Sequence, residues 1–120
     1  MRREELYLAD IVEAADSIEI FLAQVEKETF LIDDLKRSAI LHKMTIIGEA
    51  VSHLSDEFRN RHSQIEWSDI IGFRNIAVHS YFSVDWNIVW TTATEDVPKL
   101  REQVAIILDQ EFPTGTSSPK

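Results

Sequence analysis

The stretch from Ile40 to Leu54, I-L-H-K-M-T-I-I-G-E-A-V-S-H-L, carries a clear helical pattern. Its apolar side chains recur at steps of three or four, at Ile40, Met44, Ile47, Val51 and Leu54. That period places them along one stripe of an α-helix. Because a helix with one apolar stripe buries it against another element, the stretch predicts a partner helix.

The partner helix lies upstream, between about Glu4 and Lys27. Most of its acidic side chains lie off a matching apolar stripe. That stripe is formed by Leu8, Ile11, Ala15, Ile18, Leu22 and Val25. We expect the helical pattern to break from Thr29 to Asp34, where Asp33 or Asp34 caps the next helix. Two helices with matching stripes and a short connection pack antiparallel.

The chain downstream of Leu54 predicts shorter elements. The segment Ser55 to Glu66 is polar and has no sustained period, so we interpret it as a loop or a frayed end of the preceding helix. Ser68 is then the predicted N-cap of a short helix running roughly from Asp69 to Val78.

A last helix follows, with Ser83 or Asp85 as its predicted cap. Its stripe comprises Trp86, Trp90, Ala93, Val97, Leu100, Val104 and Ile107. Pro98 removes a backbone donor from this helix, so we expect a kink near Thr94 to Val97, or two helices end to end. The fold class is therefore all-α: an antiparallel bundle of four to five helices over residues 1–112, followed by a flexible tail over residues 113–120.

Composition and charge restrict the class of protein. A chain of 120 residues, 44% hydrophobic and 28% charged, fits one globular domain. The absence of cysteine excludes disulfides and thiolate metal sites, and no apolar run suits a membrane span, so we expect a cytoplasmic protein. The net charge of −9 disfavours a broad nucleic-acid-binding face but leaves room for a local cationic patch.

The stretch Gly72 to Phe82, G-F-R-N-I-A-V-H-S-Y-F, gathers the candidate catalytic groups Arg74, Asn75 and His79, and also Tyr81. Arginine offers a fixed cation for a phosphate, and histidine exchanges a proton near neutral pH. Together they suffice for metal-independent RNA cleavage, in which a 2′-hydroxyl attacks the adjacent phosphate. In this reaction His79 would transfer a proton and Arg74 would stabilise the developing charge. Asn75 would position the phosphate or His79. No metal-ligand pattern or cofactor motif is present.

Helical geometry limits this set, because residues five apart on a helix diverge by about 140°. Arg74 and His79 therefore converge on one ligand only if the helix ends or distorts near Val78, or if a second copy of the chain supplies one of them. Arg37 and His42 repeat the spacing without a neighbouring Asn or Tyr, and we interpret them as a solvated pair on a helix face. Glu49 could reach this site from the second helix, but we expect it to be solvated or ion-paired. The simpler alternative for the motif is that Arg74 pairs with an acid and that His79 is a hydrogen-bonding group at an interface.

Other polar and aromatic residues receive simpler interpretations. We expect His53 and His62 to be surface groups. The three tryptophans are expected to anchor the core or a subunit interface: Trp67, Trp86 and Trp90.

The motif R-N-I-A-V-H-S-Y resembles the Arg-x4-His-x-Tyr signature of the HepT-like toxins, a branch of the HEPN ribonuclease superfamily. Similar blocks stand around it in the expected order: F-L-I-D-D, I-I-G-E-A, W-S-D-I-I-G-F-R-N and Y-F-S-V-D-W-N-I-V-W. The resemblance implies a helical homodimer with the motifs facing across the interface, acting as a metal-independent endoribonuclease toxin of a type II toxin–antitoxin pair.

The resemblance also implies a partner, a minimal nucleotidyltransferase antitoxin that attaches AMP to Tyr81. Such a bulky anion, two residues from His79, would obstruct the phosphate site and compete with the substrate for it. The alternative function is a non-catalytic dimeric helical module that binds a nucleotidyltransferase or a nucleotide. The acidic net charge is easier to reconcile with that alternative.

Overall fold

The computed structural model describes residues 3–74 and 83–113, and over these residues the protein is an all-α bundle without strands. The elements in chain order are α1 (Glu4–Leu22), α2 (Lys27–Ile32), α3 (Asp34–Ser52), α4 (Asp56–Arg61), α5 (Trp67–Ile71), α6 (Trp86–Thr91), a π-helical turn (Thr92–Asp96) and α7 (Val97–Glu111). The predicted site residues Asn75, His79 and Tyr81 lie outside the described residues, as does the tail beyond Pro113.

The two long helices α1 and α3 pack against each other as the matching stripes predict. Every stripe residue of α3 and five of the six upstream stripe residues are buried, and Val25 is partly buried against the core. The start of α1 lies beside the end of α3, since the Tyr7 ring stacks on His53 with centroids 5.2 Å apart. The Ser55 amide also donates to both Glu4 carboxylate oxygens, at 3.4 and 3.3 Å. The predicted antiparallel arrangement is therefore confirmed.

The connection between α1 and α3 differs from the prediction. Residues 29–32 do not break the helical pattern but belong to the short helix α2, which inserts Phe30 fully into the core. The chain turns earlier, where Gln24 adopts a positive φ of 62°. The predicted cap is confirmed, because the Asp33 carboxylate accepts a hydrogen bond from the Lys36 amide at 3.0 Å.

The segment after α3 is also more ordered than predicted. The loop expected from Ser55 to Glu66 contains α4, capped by Ser55, whose hydroxyl oxygen accepts from the Phe58 amide at 3.1 Å. Phe58 is only 1% exposed and fixes α4 to the core. The prediction of Ser68 as an N-cap is wrong, because α5 already begins at Trp67.

The C-terminal helices agree with the predicted interruption. Asp85 caps α6, as expected, by accepting from the amides of Asn87 and Ile88 at 3.0 and 3.4 Å. The π turn Thr92–Asp96 then interrupts the α-helix, and Pro98, which has no backbone N–H to donate, lies directly after it in the first turn of α7.

The tryptophans anchor the core of this chain. Trp67 is 6% exposed, and its indole nitrogen donates to the His62 carbonyl at 3.0 Å. Trp86 and Trp90 pack on Phe30, at centroid distances of 6.3 and 5.3 Å. Within the described residues, none of the helices combines the length and the apolar character needed to cross a membrane.

Candidate active site

Arg74 follows α5 closely and reaches back to the last turn of α3. Its Nη1 atom donates to the Ser52 hydroxyl oxygen at 3.0 Å and lies 3.4 Å from Glu49 Oε1. Ser52 in turn donates its own proton to the Glu49 carbonyl at 2.7 Å, which leaves its oxygen lone pairs directed at Arg74. The guanidinium is therefore oriented by two neighbouring positions of one helix.

Gly48 explains how the chain comes this close to α3. A Cβ atom added to Gly48 would lie 2.8 Å from the Arg74 nitrogen and 2.9 Å from the Ile70 carbonyl oxygen. Both neighbours are backbone atoms, so no flexible side chain can move aside for it. Glycine is therefore required at this contact for steric reasons. Gly48 sets the distance between the two backbones, and Glu49 orients the arginine side chain.

The Arg74–Glu49 ion pair has a defined geometry, but both side chains remain accessible to solvent. The Arg74 side chain is 41% exposed and that of Glu49 is 54% exposed. Ion pairs of this exposure contribute at most about 1 kcal/mol to stability. The exposed part of the guanidinium can therefore bind an incoming anion, while Ser52 and Glu49 keep the side chain oriented.

The second oxygen of Glu49 extends the contacts to α1. Its Oε2 atom lies 3.1 Å from His53 Nε2, and the His53 ring stacks on Tyr7 with an interplanar angle of 15°. The expected ion-paired role of Glu49 is confirmed, and His53 is half-exposed as expected. Sequence reasoning allowed Arg74 to pair with an acid and Glu49 to be ion-paired, but it did not identify the two as partners. A glycine inside a long helix costs about 1 kcal/mol of helix stability, so its presence at position 48 was the sequence signal that another backbone segment approaches the helix there.

A groove runs along the surface beside this pair, between α1 and α3. It has a volume of about 450 Å³, and its walls include Tyr7, Asp10, Thr45, Ile46, Glu49 and His53. Glu49 belongs both to this groove and to the Arg74 pair. We refer to it as the α1–α3 groove.

A separate cavity of about 380 Å³ lies between α5 and the start of α7. Exposed carboxylates stand around it, at Glu66, Asp69 and Asp96, and Phe73 and Leu100 contribute apolar walls. Neither Arg74 nor its partners on α3 line this cavity, so it is not part of the candidate active site.

Arg37, the arginine of the second Arg–His pair, has a structural role. Arg37 Nη1 donates to the Leu31 carbonyl at 3.2 Å, and the guanidinium lies 5.0 Å from the centre of the Trp86 ring. Its side chain is only 24% exposed. The solvated-face interpretation is therefore wrong for Arg37, which joins α3 to α2 and α6, while His42 is exposed as expected.

His62 is not the surface group that we expected. Its side chain is 14% exposed, and its Nε2 atom lies 2.7 Å from a carboxylate oxygen of Glu111, whose other oxygen accepts from Arg61 at 3.1 Å. Burial raises the pKa of Glu111, but the hydrogen bonds and the charges of Arg61 and His62 together lower it by more, so the pKa lies below its ordinary value. This cluster fastens α4 to the end of α7.

Metal ligands were not expected from the sequence. Over residues 3–74 and 83–113, no group of three or more histidine, aspartate or glutamate side chains is arranged to hold a metal ion.

The fold and the site together define the class of this protein. It is an all-α bundle that presents an oriented, accessible arginine at the start of an Arg-x4-His-x-Tyr sequence motif. The chain belongs to the family described as ribonuclease HepT-like, whose family model matches residues 11–107. The match covers most of α1 and α7, all the helices between them and the whole motif.

Several curated relatives match over most of their length. "Putative RNase MJ1380" of Methanocaldococcus jannaschii is 32% identical, over 88% of this chain and 97% of the relative. "Putative RNase TTE0752" of Caldanaerobacter subterraneus subsp. tengcongensis is 34% identical, over 92% and 99%. "Probable ribonuclease HepT" of Thermococcus cleftensis is 36% identical, over 83% and 91%. No solved structure matches the chain significantly.

Proposed function

We propose that this protein is a metal-independent endoribonuclease and the toxin of a type II toxin–antitoxin pair. The observation that carries the proposal is the state of Arg74, which is oriented by Ser52 and Glu49 while its side chain remains 41% exposed. A fixed cation of this kind suits a phosphate whose charge grows during a reaction. The names of the relatives, which describe ribonucleases, support the same class of activity.

In the proposed reaction, the 2′-oxygen of a ribose attacks the adjacent phosphorus, and the bond from phosphorus to the 5′-oxygen breaks. His79 takes the proton of the 2′-hydroxyl or gives a proton to the leaving 5′-oxygen. Arg74 stabilises the negative charge on the phosphoryl oxygens, and Asn75 holds the phosphate or His79. The products are a 2′,3′-cyclic phosphate and a 5′-hydroxyl, and no external reactant is consumed.

We further propose that the active unit is a homodimer. Since Arg74 and His79 diverge by about 140° on an uninterrupted helix, a second copy of the motif would complete the site. A nucleotidyltransferase antitoxin would silence the enzyme by attaching AMP to Tyr81. The added phosphate would compete with RNA for Arg74.

The test uses full-length protein whose intact mass shows that it carries no AMP. We expect it to cleave RNA in the presence of a chelator and to leave 2′,3′-cyclic phosphate ends. Arg74→Ala and His79→Ala should each abolish cleavage without loss of the fold or of the dimer. His42→Ala is the matched control, because His42 is an exposed histidine on α3 outside the motif.

The alternative function, a non-catalytic dimeric module that binds a nucleotidyltransferase or a nucleotide, is favoured by the net charge of −9. It predicts that unmodified protein cleaves no cellular RNA and still forms a stable complex with the partner. Cleavage that survives in both Arg74→Ala and His79→Ala would indicate a contaminating nuclease and would contradict the proposal.

A further inference from the structure

We propose that His53 is a positioning residue for RNA cleavage, because it holds the Glu49 carboxylate that orients Arg74. His53 lies outside the Arg-x4-His-x-Tyr motif, and the sequence alone predicts only a surface group at this position. The inference rests on the proposed function for the reaction in which Arg74 acts. The orientation of Arg74 itself can be measured without any reaction.

Three side chains near the C-terminal end of α3 form the support of Arg74. Glu49, Ser52 and His53 are spaced by three and four positions, so they are neighbours on one face of the helix. The acidic residue precedes the histidine by four positions, which is the favourable order for such a pair. Arg74 contacts Glu49 and Ser52 directly. Among the described contacts, His53 reaches Arg74 only through Glu49.

The Glu49 carboxylate is held at both of its oxygens. Oε1 lies 3.4 Å from Arg74 Nη1, and Oε2 lies 3.1 Å from His53 Nε2. An ionised carboxylate only accepts hydrogen bonds, so Nε2 is the nitrogen of His53 that donates here. The Glu49 side chain is 54% exposed and would adopt several rotamers without this donor. His53 therefore selects the rotamer in which the other oxygen faces Arg74.

His53 can hold Glu49 because its own position is fixed. It is the C-cap residue of α3, and its backbone N–H donates to the carbonyl oxygens of Ala50 and Val51. Its ring stacks on the Tyr7 ring of α1, with centroids 5.2 Å apart and planes 15° apart. The support therefore extends from the contact between α1 and α3 through His53 and Glu49 to the guanidinium.

The effect of this support falls on one edge of the guanidinium. Both contacts of Arg74 with α3 use the same atom, Nη1. Over the part of the chain that the structure describes, no residue accepts a hydrogen bond from Arg74 Nε or Nη2, so that edge is available to a phosphate. Arginine binds a phosphate most strongly through two parallel N–H groups. An edge held in one orientation stabilises the developing charge better than one that rotates.

The test measures how fast the Arg74 guanidinium rotates about its Nε–Cζ bond, by NMR of full-length protein labelled with 15N-arginine. Arg74→Lys identifies the signal, and no RNA is present. His53→Phe keeps a ring to stack on Tyr7 but has no N–H donor, and we expect it to speed the rotation about threefold. His53→Gln keeps a donor and should rotate at nearly the wild-type rate. Wild-type rotation in His53→Phe would overturn the proposal.

A double-mutant cycle tests whether His53 acts through Glu49. Glu49→Ala alone should speed the rotation, and adding His53→Phe to it should speed the rotation no further. A full additional effect in the Glu49→Ala background would overturn the proposal, because His53 would then act by another route. His42→Phe is the matched control, since His42 is an exposed histidine of the same helix, and its rotation should equal that of the wild type.

RNA cleavage supplies the second readout. We expect kcat to fall about threefold in His53→Phe, with a smaller change in KM, and to recover in His53→Gln. Faster rotation with an unchanged kcat in an active enzyme would overturn the role of His53 in cleavage. The expected rotation rates in a protein that cleaves no RNA would refute the proposed enzyme and leave His53 as the residue that positions Arg74.

Discussion

The backbone nitrogen of Arg74 packs so tightly on Gly48 that a methyl group at position 48 would lie 2.8 Å from it. Because the obstructing atoms are backbone, Gly48→Ala must push α3 away from the segment that carries Arg74. We expect the free energy of unfolding to fall by about 1–3 kcal/mol, as in other overpacked sites, measured by urea denaturation.

Gly72→Ala is the matched control for that substitution. A Cβ there would lie 3.2 Å from the Asp69 carbonyl oxygen, and the φ of −60° suits alanine. Its effect should stay within about 1 kcal/mol. Equal stabilities for Gly48→Ala and wild type would show that the close approach does not constrain position 48.

Glu49 should matter for RNA cleavage and little for stability. Its exposed ion pair with Arg74 contributes at most about 1 kcal/mol, so Glu49→Ala should unfold nearly as the wild type does. Without Glu49 the guanidinium is less well oriented, and we expect kcat to fall about tenfold with a smaller change in KM. Glu49→Gln keeps a hydrogen-bond acceptor and should recover part of kcat. A purely electrostatic role would instead make the glutamine and alanine variants equally slow.

Substitution of the arginines of the two Arg–His pairs should have opposite effects on stability and on RNA cleavage. Arg37→Ala loses the hydrogen bond to Leu31 and the contact with Trp86, so its free energy of unfolding should fall by about 1–2 kcal/mol. Once folded, this variant should still cleave RNA. Arg74→Lys should keep the stability of the wild type and lose most cleavage, since lysine lacks the planar fork. Loss of cleavage in a folded Arg37→Ala protein would contradict this division of roles.

The cluster at Glu111 should make stability depend on pH in the acid range. Its pKa in the folded protein lies below the ordinary value of 4.5, so its stabilising contribution is complete above about that pH. The contribution is lost as the pH falls through the lower folded-state pKa. The stability difference between wild type and Glu111→Gln should therefore shrink from pH 6 to pH 3. Asp109→Asn, which makes the same carboxylate-to-amide change at an exposed position of the same helix, is the matched control.

The long helices were predictable from the sequence because each repeats its apolar spacing over several turns. The cap residues Asp33 and Asp85 were predictable for a local reason, since a carboxylate at a helix start accepts nearby backbone amides. The short helices α2 and α4 were not predictable, because each buries a single residue, Phe30 in α2 and Phe58 in α4. A single buried residue shows no periodicity in the sequence.

The contacts of the candidate site depend on tertiary structure and were beyond sequence reasoning. Arg74 meets Glu49 and Ser52 across more than twenty positions of the chain, and His62 meets Glu111 across 49. The sequence offered residue types for these contacts but no distances. The roles of Asn75, His79 and Tyr81 stay predictions.

The π turn Thr92–Asp96 bears on how this chain tolerates a change in length. A π-helical turn closes its hydrogen bond over one residue more than an α-helical turn. Deletion of one residue there, such as Thr94, keeps the rotational phase of the flanking helices, although it places Pro98 inside a continuous α-helix, which costs about 3 kcal/mol. The same deletion inside α7 would rotate everything after it by about 100° and carry Val104 and Ile107 away from the core. Natural length variation among relatives is therefore expected to concentrate at this turn.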